Sequence, residues 1–187
     1  MRLEEMSNDE VVFESNTIDA LQMNRTFYIV LLAIFSALTA VATMIFVIPI
    51  ASTSGIFNFG DALVMISGML LGPVGGFVAG GIGSAMGDIG LGYFVFAPFT
   101  FFIKGGEGLV VGQLSRYSGR AKTLRPWDIL AVILGSIIML SGYYVAEVVF
   151  LGIAPAAALF ELVVFNSVQV IGGGIVSLII GPALRNF

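Results

Sequence analysis

Two residue types are missing from the 187-residue chain: it has no cysteine and no histidine. That excludes disulfides, thiol nucleophiles, ordinary structural zinc sites and imidazole acid–base chemistry. Charge is also scarce, at 11% Asp, Glu, Lys and Arg, against roughly a quarter in a soluble domain. No Gly-x-x-x-x-Gly-Lys-Ser/Thr stretch occurs, so ATP hydrolysis by that motif is absent. Gly81-Ile82-Gly83-Ser84-Ala85-Met86 fails the dinucleotide pattern at its last position, and no strand precedes it. Gly60-Asp61 and Gly87-Asp88 raise an intramembrane aspartyl protease. The Gly-x-Gly-Asp pattern of such an enzyme is broken by Asn58 and Ala85. No catalytic residue, cofactor, metal or nucleic-acid partner is therefore expected.

What the chain does have is apolar bulk: 58% hydrophobic residues and 24 glycines. A protein this small cannot hide so much apolar surface from water. Long continuous apolar runs, rather than short alternating strands, point to membrane-spanning helices. Six apolar segments can be drawn: 27–49, 61–71, 74–88, 98–114, 128–151 and 156–184. Gly72-Pro73 divides the second from the third, because proline lacks the amide proton a helix needs. The second segment could instead be re-entrant, and if segments two and three formed no crossing the same sidedness would hold with four spans. The expected fold is an all-α membrane protein, a six-transmembrane-helix bundle covering 23–187.

The net charge of −4 is unevenly spread. Residues 1–22 hold Glu4, Glu5, Asp9, Glu10, Glu14 and Asp19 against Arg2 alone. This stretch reads as an acidic, solvated, partly helical cytoplasmic tail, without the basic start of a signal peptide. The basic residues Arg2 and Arg25 precede the first segment. Arg116, Arg120, Lys122 and Arg125 lie between the fourth and fifth, and Arg185 follows the sixth. With six spans all three places share one side, and the positive-inside bias makes that side cytoplasmic, both termini included. The expected location is the cell membrane, crossed several times.

Small residues punctuate the interior. Gly72, Gly76, Gly80, Ser84 and Asp88 recur every four residues, a spacing that lets helices approach closely in lipid. A shorter small-residue face on segment one carries Ala33, Ala37 and Ala40. It suits internal packing and a partner helix equally.

Lys104 is the one basic residue inside a segment, with Glu107 on the same helical face. The pair reads either as a self-neutralising ion pair or as a polar anchor for a ligand. Counted at about 1.5 Å per residue, Lys104 lies about 9 Å below the outer surface, Glu147 about 6 Å, Tyr143 about 12 Å and Asn166 about 15 Å. Gln169 is one turn deeper. Asn58 and Asp61 flank the outer start of segment two, where Asp61 also fits a helix cap. Tyr93 fits an interfacial belt. Polar groups thus converge on the outer half, while the inner half has few. An outward-facing pocket with aromatic neighbours (Phe94, Phe96, Phe99, Tyr144) suits a small flat organic solute better than a bare ion. A self-sufficient porter or channel would need a polar path through both halves. A purely structural membrane protein would need no such cluster.

Phe57-Asn58-Phe59-Gly60-Asp61-Ala62, Leu70-Leu71-Gly72-Pro73-Val74-Gly75-Gly76, Gly83-Ser84-Ala85-Met86-Gly87-Asp88, Ala97-Pro98-Phe99-Thr100 and Lys104-Gly105-Gly106-Glu107-Gly108 together resemble the substrate-binding S components of energy-coupling factor (ECF) transporters. The likeness covers about residues 25–185 and is strongest to the riboflavin and hydroxymethylpyrimidine branch. It implies capture of a water-soluble vitamin or precursor, such as riboflavin, a pyridoxine-type compound or hydroxymethylpyrimidine. It also implies delivery through an EcfT-type transmembrane coupling subunit and two ATPase subunits. The Ala33-x-x-x-Ala37 pattern matches the family's docking motif for the coupling subunit. On this reading Lys104 and Glu107 bind the solute, Tyr143 and Glu147 flank it, and Asn166 reads a ring heteroatom, with Asn58 and Gln169 completing the set. The acidic tail is not a family feature.

Overall fold

In the computed structural model the described residues are 8–45, 47–51, 53–118 and 123–185, with side chains from 25 onward. Arg2, Arg120 and Lys122, and the side chains of the acidic stretch 1–22, lie outside them. The chain divides into two compact units, Met1–Leu31 and Leu32–Phe187. Helix α1 (Asn8–Ile45) begins in the first. The second holds the rest of α1 and all later elements.

A short antiparallel hairpin follows α1, with β1 (Ile48–Ile50) paired to β2 (Gly55–Phe57) in the register Ile48↔Phe57 and Ile50↔Gly55. Pro49 therefore lies in a strand, and the first apolar run ends as helix at Ile45. Helix α2 (Gly60–Leu91) takes in the second and third segments. Its ladder breaks at Gly72, whose φ of 76° and ψ of −172° are open to glycine, just before Pro73. The two arms fold back on each other there. A Cβ on Gly76 would lie 2.7 Å from Gly68 Cα, and one on Gly80 would lie 2.8 Å from the Val64 side chain. Such distances are impossible along one straight helix, so the Gly-Pro pair makes a helical hairpin.

Helix α3 (Ala97–Ser115) starts on Pro98 after the left-handed cap at Gly92. It packs against both arms of α2, with Gly108 against the Gly76 backbone and Gly112 against Gly72 and Pro73. Helix α1 enters the same assembly through Thr39 and Thr43, which occupy the space beside Gly83 and Gly87. Glycine here supplies close backbone approach, as the four-residue spacing predicts.

Helix α4 (Pro126–Val145) starts on Pro126, with the Asp128 carboxylate accepting the Arg125 N–H at 2.9 Å. It runs on through a π-helical turn, Ala146–Phe150. Helix α5 (Pro155–Glu161) leads through a second π-helical turn, Leu162–Asn166, into α6 (Ser167–Leu184). Arg185 then closes on Asp128, with its Nη1 at 3.1 Å from Oδ2, and Ser118 donates to the same carboxylate at 2.8 Å. The end of α6, the start of α4 and the turn after α3 are thereby tied together.

Four helical stretches among the described residues are long and apolar enough to cross a membrane: Arg25–Ile45, Gly60–Leu91, Pro126–Phe150 and Pro155–Leu184. Their outer faces are covered with large apolar side chains, including Ile133, Ile137, Ile171 and Ile179, all more than half exposed. Such a surface suits lipid. The interior is stitched by glycine and polar contacts, with Met65, Met69, Val111, Ala131 and Val132 as its largest apolar cluster.

Candidate functional site

A small, tight cavity of about 20 Å³ lies at the hairpin end of the bundle, remote from the Asp128–Arg185 tie. Gly55, Ile56 and Asn58 roof it. Asp88 and Tyr93 come from the end of α2 and the turn beyond it, and Phe96 and Thr100 from the start of α3. Tyr143 reaches in from α4, and Glu161, Asn166 and Gln169 from the α5–α6 run.

Each wall is held by a specific contact. Gln169 links roof and floor: its Oε1 accepts the Asn58 N–H at 2.8 Å, and its Nε2 donates to Asp61 Oδ2 at 2.8 Å. Gly173 lets α6 come this close, since a Cβ there would meet the Asp61 side chain at 2.8 Å. Asn58 in turn accepts the Gly60 N–H on Oδ1 at 2.8 Å, while the cap position of α2 is Phe59, not Asp61. Thr100 and Tyr143 share a hydrogen bond of 3.0 Å between hydroxyls. The hairpin is pinned by Thr53, which donates to Glu161. Gly55 sits against that carboxylate with no room for a Cβ. Of the two π-helical turns, Leu162–Asn166 lies in the wall and Ala146–Phe150 behind it. The former brings Asn166 to the cavity and the latter carries the buried Glu147, and such bulges are frequent at functional sites.

Of the residues expected to bind a solute, Asn58, Tyr143, Asn166 and Gln169 line this cavity. Lys104, Glu107 and Glu147 do not. Lys104 is 1% exposed and pairs with Asp61, with Glu107 Oε2 3.4 Å away. The ammonium also lies 5.6 Å from the centre of the Tyr143 ring, just behind the cavity wall. The helix-cap expectation for Asp61 is corrected: its carboxylate serves Lys104 and Gln169 instead. Glu147 is buried behind Glu161, which it contacts. Tyr93, expected at a membrane interface, is a cavity residue.

Sequence reasoning missed Thr53, Thr100 and Glu161. For Glu161 a signal existed, since an acid in an apolar segment, nearly two turns beyond Pro155, is costly to bury without purpose. Beneath the cavity the apolar cluster around Met65 and Val111 closes the bundle. Ala33 and Ala37 on α1 are exposed, beside Ile34 and Leu38.

The family model for the ECF-type riboflavin transporter, S component, matches residues 23–186. An uncharacterised protein of Pyrococcus woesei is 38% identical over 150 residues, covering 78% of this chain and 98% of that protein. A protein of Lactococcus lactis subsp. cremoris named thiamine precursor transporter HmpT is 29% identical over 156 residues, covering 83% of this chain and 86% of that protein.

Proposed function

The chain belongs to the ECF-type riboflavin transporter S component family, and on that premise we propose that it captures a flat heteroaromatic vitamin or vitamin precursor from outside the cell. It is a membrane transport component, not an enzyme. The observation that carries the proposal is the cavity. Amides from Asn58, Asn166 and Gln169 and rings from Tyr93, Phe96 and Tyr143 meet in one recess at one end of the bundle. A few convergent hydrogen-bonding groups among aromatic walls fit a flat, hydrogen-bonding ring.

The chain crosses the cell membrane six times, with the α2 arms counted separately. The basic residues Arg116, Arg125 and Arg185 mark the cytoplasmic end, and the cavity end faces outside. The apolar plug below the cavity argues against a continuous pore, so release inward requires the bundle to move as a whole. An EcfT-type coupling subunit and two ATPase subunits supply that movement. The coupling subunit docks on the exposed Ala33–Ala37 face of α1, where small side chains admit a partner helix closely.

Thermal-shift measurements on the purified protein test the capture step. Riboflavin, hydroxymethylpyrimidine or a pyridoxine-type compound should raise the unfolding temperature in a concentration-dependent way. Failure of all three classes to do so would remove the proposal.

A further inference from the structure

No cation among the described residues faces the cavity, yet acids do. Asp88 and Glu161 line it, and Glu147 stands against Glu161 from behind. All three are buried. The nearest ammonium, Lys104, is engaged with Asp61 and Glu107 beneath the wall. The cavity acids therefore meet only neutral donors: Thr53 and Asn166 at Glu161, and Thr100 at Asp88. Glu147 and Glu161 stand close enough to share a proton. Carboxylates withdrawn from water without a counter-charge are costly to keep.

The rings supply an independent observation. Tyr93, Phe96 and Tyr143 border the same space. Aromatic faces carry negative potential and favour cations, and carboxylates beside them strengthen the effect.

We infer that the cavity selects a flat heterocycle bearing positive charge, of the kind in which an amino group is conjugated to a protonated ring nitrogen, over a neutral ring of the same size. Two parallel N–H donors on such a ring match one carboxylate in a two-pronged, charge-assisted pair. The ring itself then lies against the aromatic walls. A neutral ring would leave the acids uncompensated. This inference rests on the reading of the cavity as a vitamin-capture site.

The test is isothermal titration of the full-length protein with matched pairs. One pair is 2-aminopyridine, whose amino group is conjugated to its ring nitrogen, and 2-hydroxypyridine. The other is hydroxymethylpyrimidine, which carries a ring amino group, and the analogue with a hydroxyl in its place. Riboflavin is titrated as a further neutral ring. The amino member of at least one pair should bind at least about tenfold tighter than its partner. Asp88→Asn or Glu161→Gln should shrink that ratio to below about threefold. Should neither variant fold, the wild-type ratios decide alone. Equal or tighter binding of the neutral members, or of riboflavin, would overturn the charge selection and leave vitamin capture standing. Binding of none of the compounds would overturn both.

Discussion

The Lys104 ammonium closes on the Asp61 carboxylate and so joins the middle of α3 to the start of α2. Glu107 completes the group from the next turn of α3, 3.4 Å away. Both Asp61 and Glu107 are fully buried. Removing one member of such a group leaves the others charged and unpaired away from water, which costs about 3–5 kcal/mol.

Lys104→Met should therefore lower stability by about that amount. The check is chemical or thermal unfolding in detergent. The triple replacement Asp61→Asn, Lys104→Met and Glu107→Gln should recover much of the loss, because no unpaired charge remains. A Lys104→Met protein as stable as the native one would contradict the ion-group reading.

Asn166→Ala should behave differently. Its side chain faces the cavity and carries none of the interhelical ion pairing. Loss of one buried hydrogen bond to a solute weakens binding by about 1–3 kcal/mol. The unfolding temperature without solute should fall less than in Lys104→Met, since only a neutral donor to Glu161 is lost, and the affinity measured by titration should fall.

Gly55→Val tests the roof. A side chain there would displace the Glu161 carboxylate and break the bond from Thr53. Faster solute dissociation is expected, read by stopped-flow or by washout of a labelled solute. An unchanged dissociation rate would mean that the hairpin does not hold the solute.

Ala33→Trp with Ala37→Trp tests the docking face. Both positions are exposed, so bulk there does not disturb the interior. Vitamin uptake in cells with the full energising module should be lost, while solute binding by the purified chain persists. Retained uptake would move the docking site elsewhere.

The helical segments were legible because long apolar runs and the Gly72-Pro73 break leave little freedom in lipid. Helix α3 was expected over 98–114 and spans Ala97–Ser115. The orientation of side chains around each helix was less legible. Lys104 is on the expected segment, but Gly105 and Gly108 seat α3 against Phe77 and Gly76. That packing turns the ammonium toward Asp61 rather than into the cavity. Nothing local to Asp61 announces a partner so distant along the chain. The hairpin was hidden for another reason: Ile48-Pro49-Ile50 continues the apolar character of α1, and a three-residue strand has too few positions for an alternation to show. Tyr143, Asn166 and Gln169 stand out as a phenol and two amides inside apolar segments, and Asn58 as an amide flanking the start of segment two.

The most direct test of the outward-facing receptacle uses the absence of cysteine from the chain. Tyr93→Cys places a thiol at the cavity rim. A membrane-impermeant maleimide added to intact cells should label it, and the vitamin that the protein binds should protect it. Labelling that requires permeabilised cells, or that the vitamin leaves unaffected, would contradict the account.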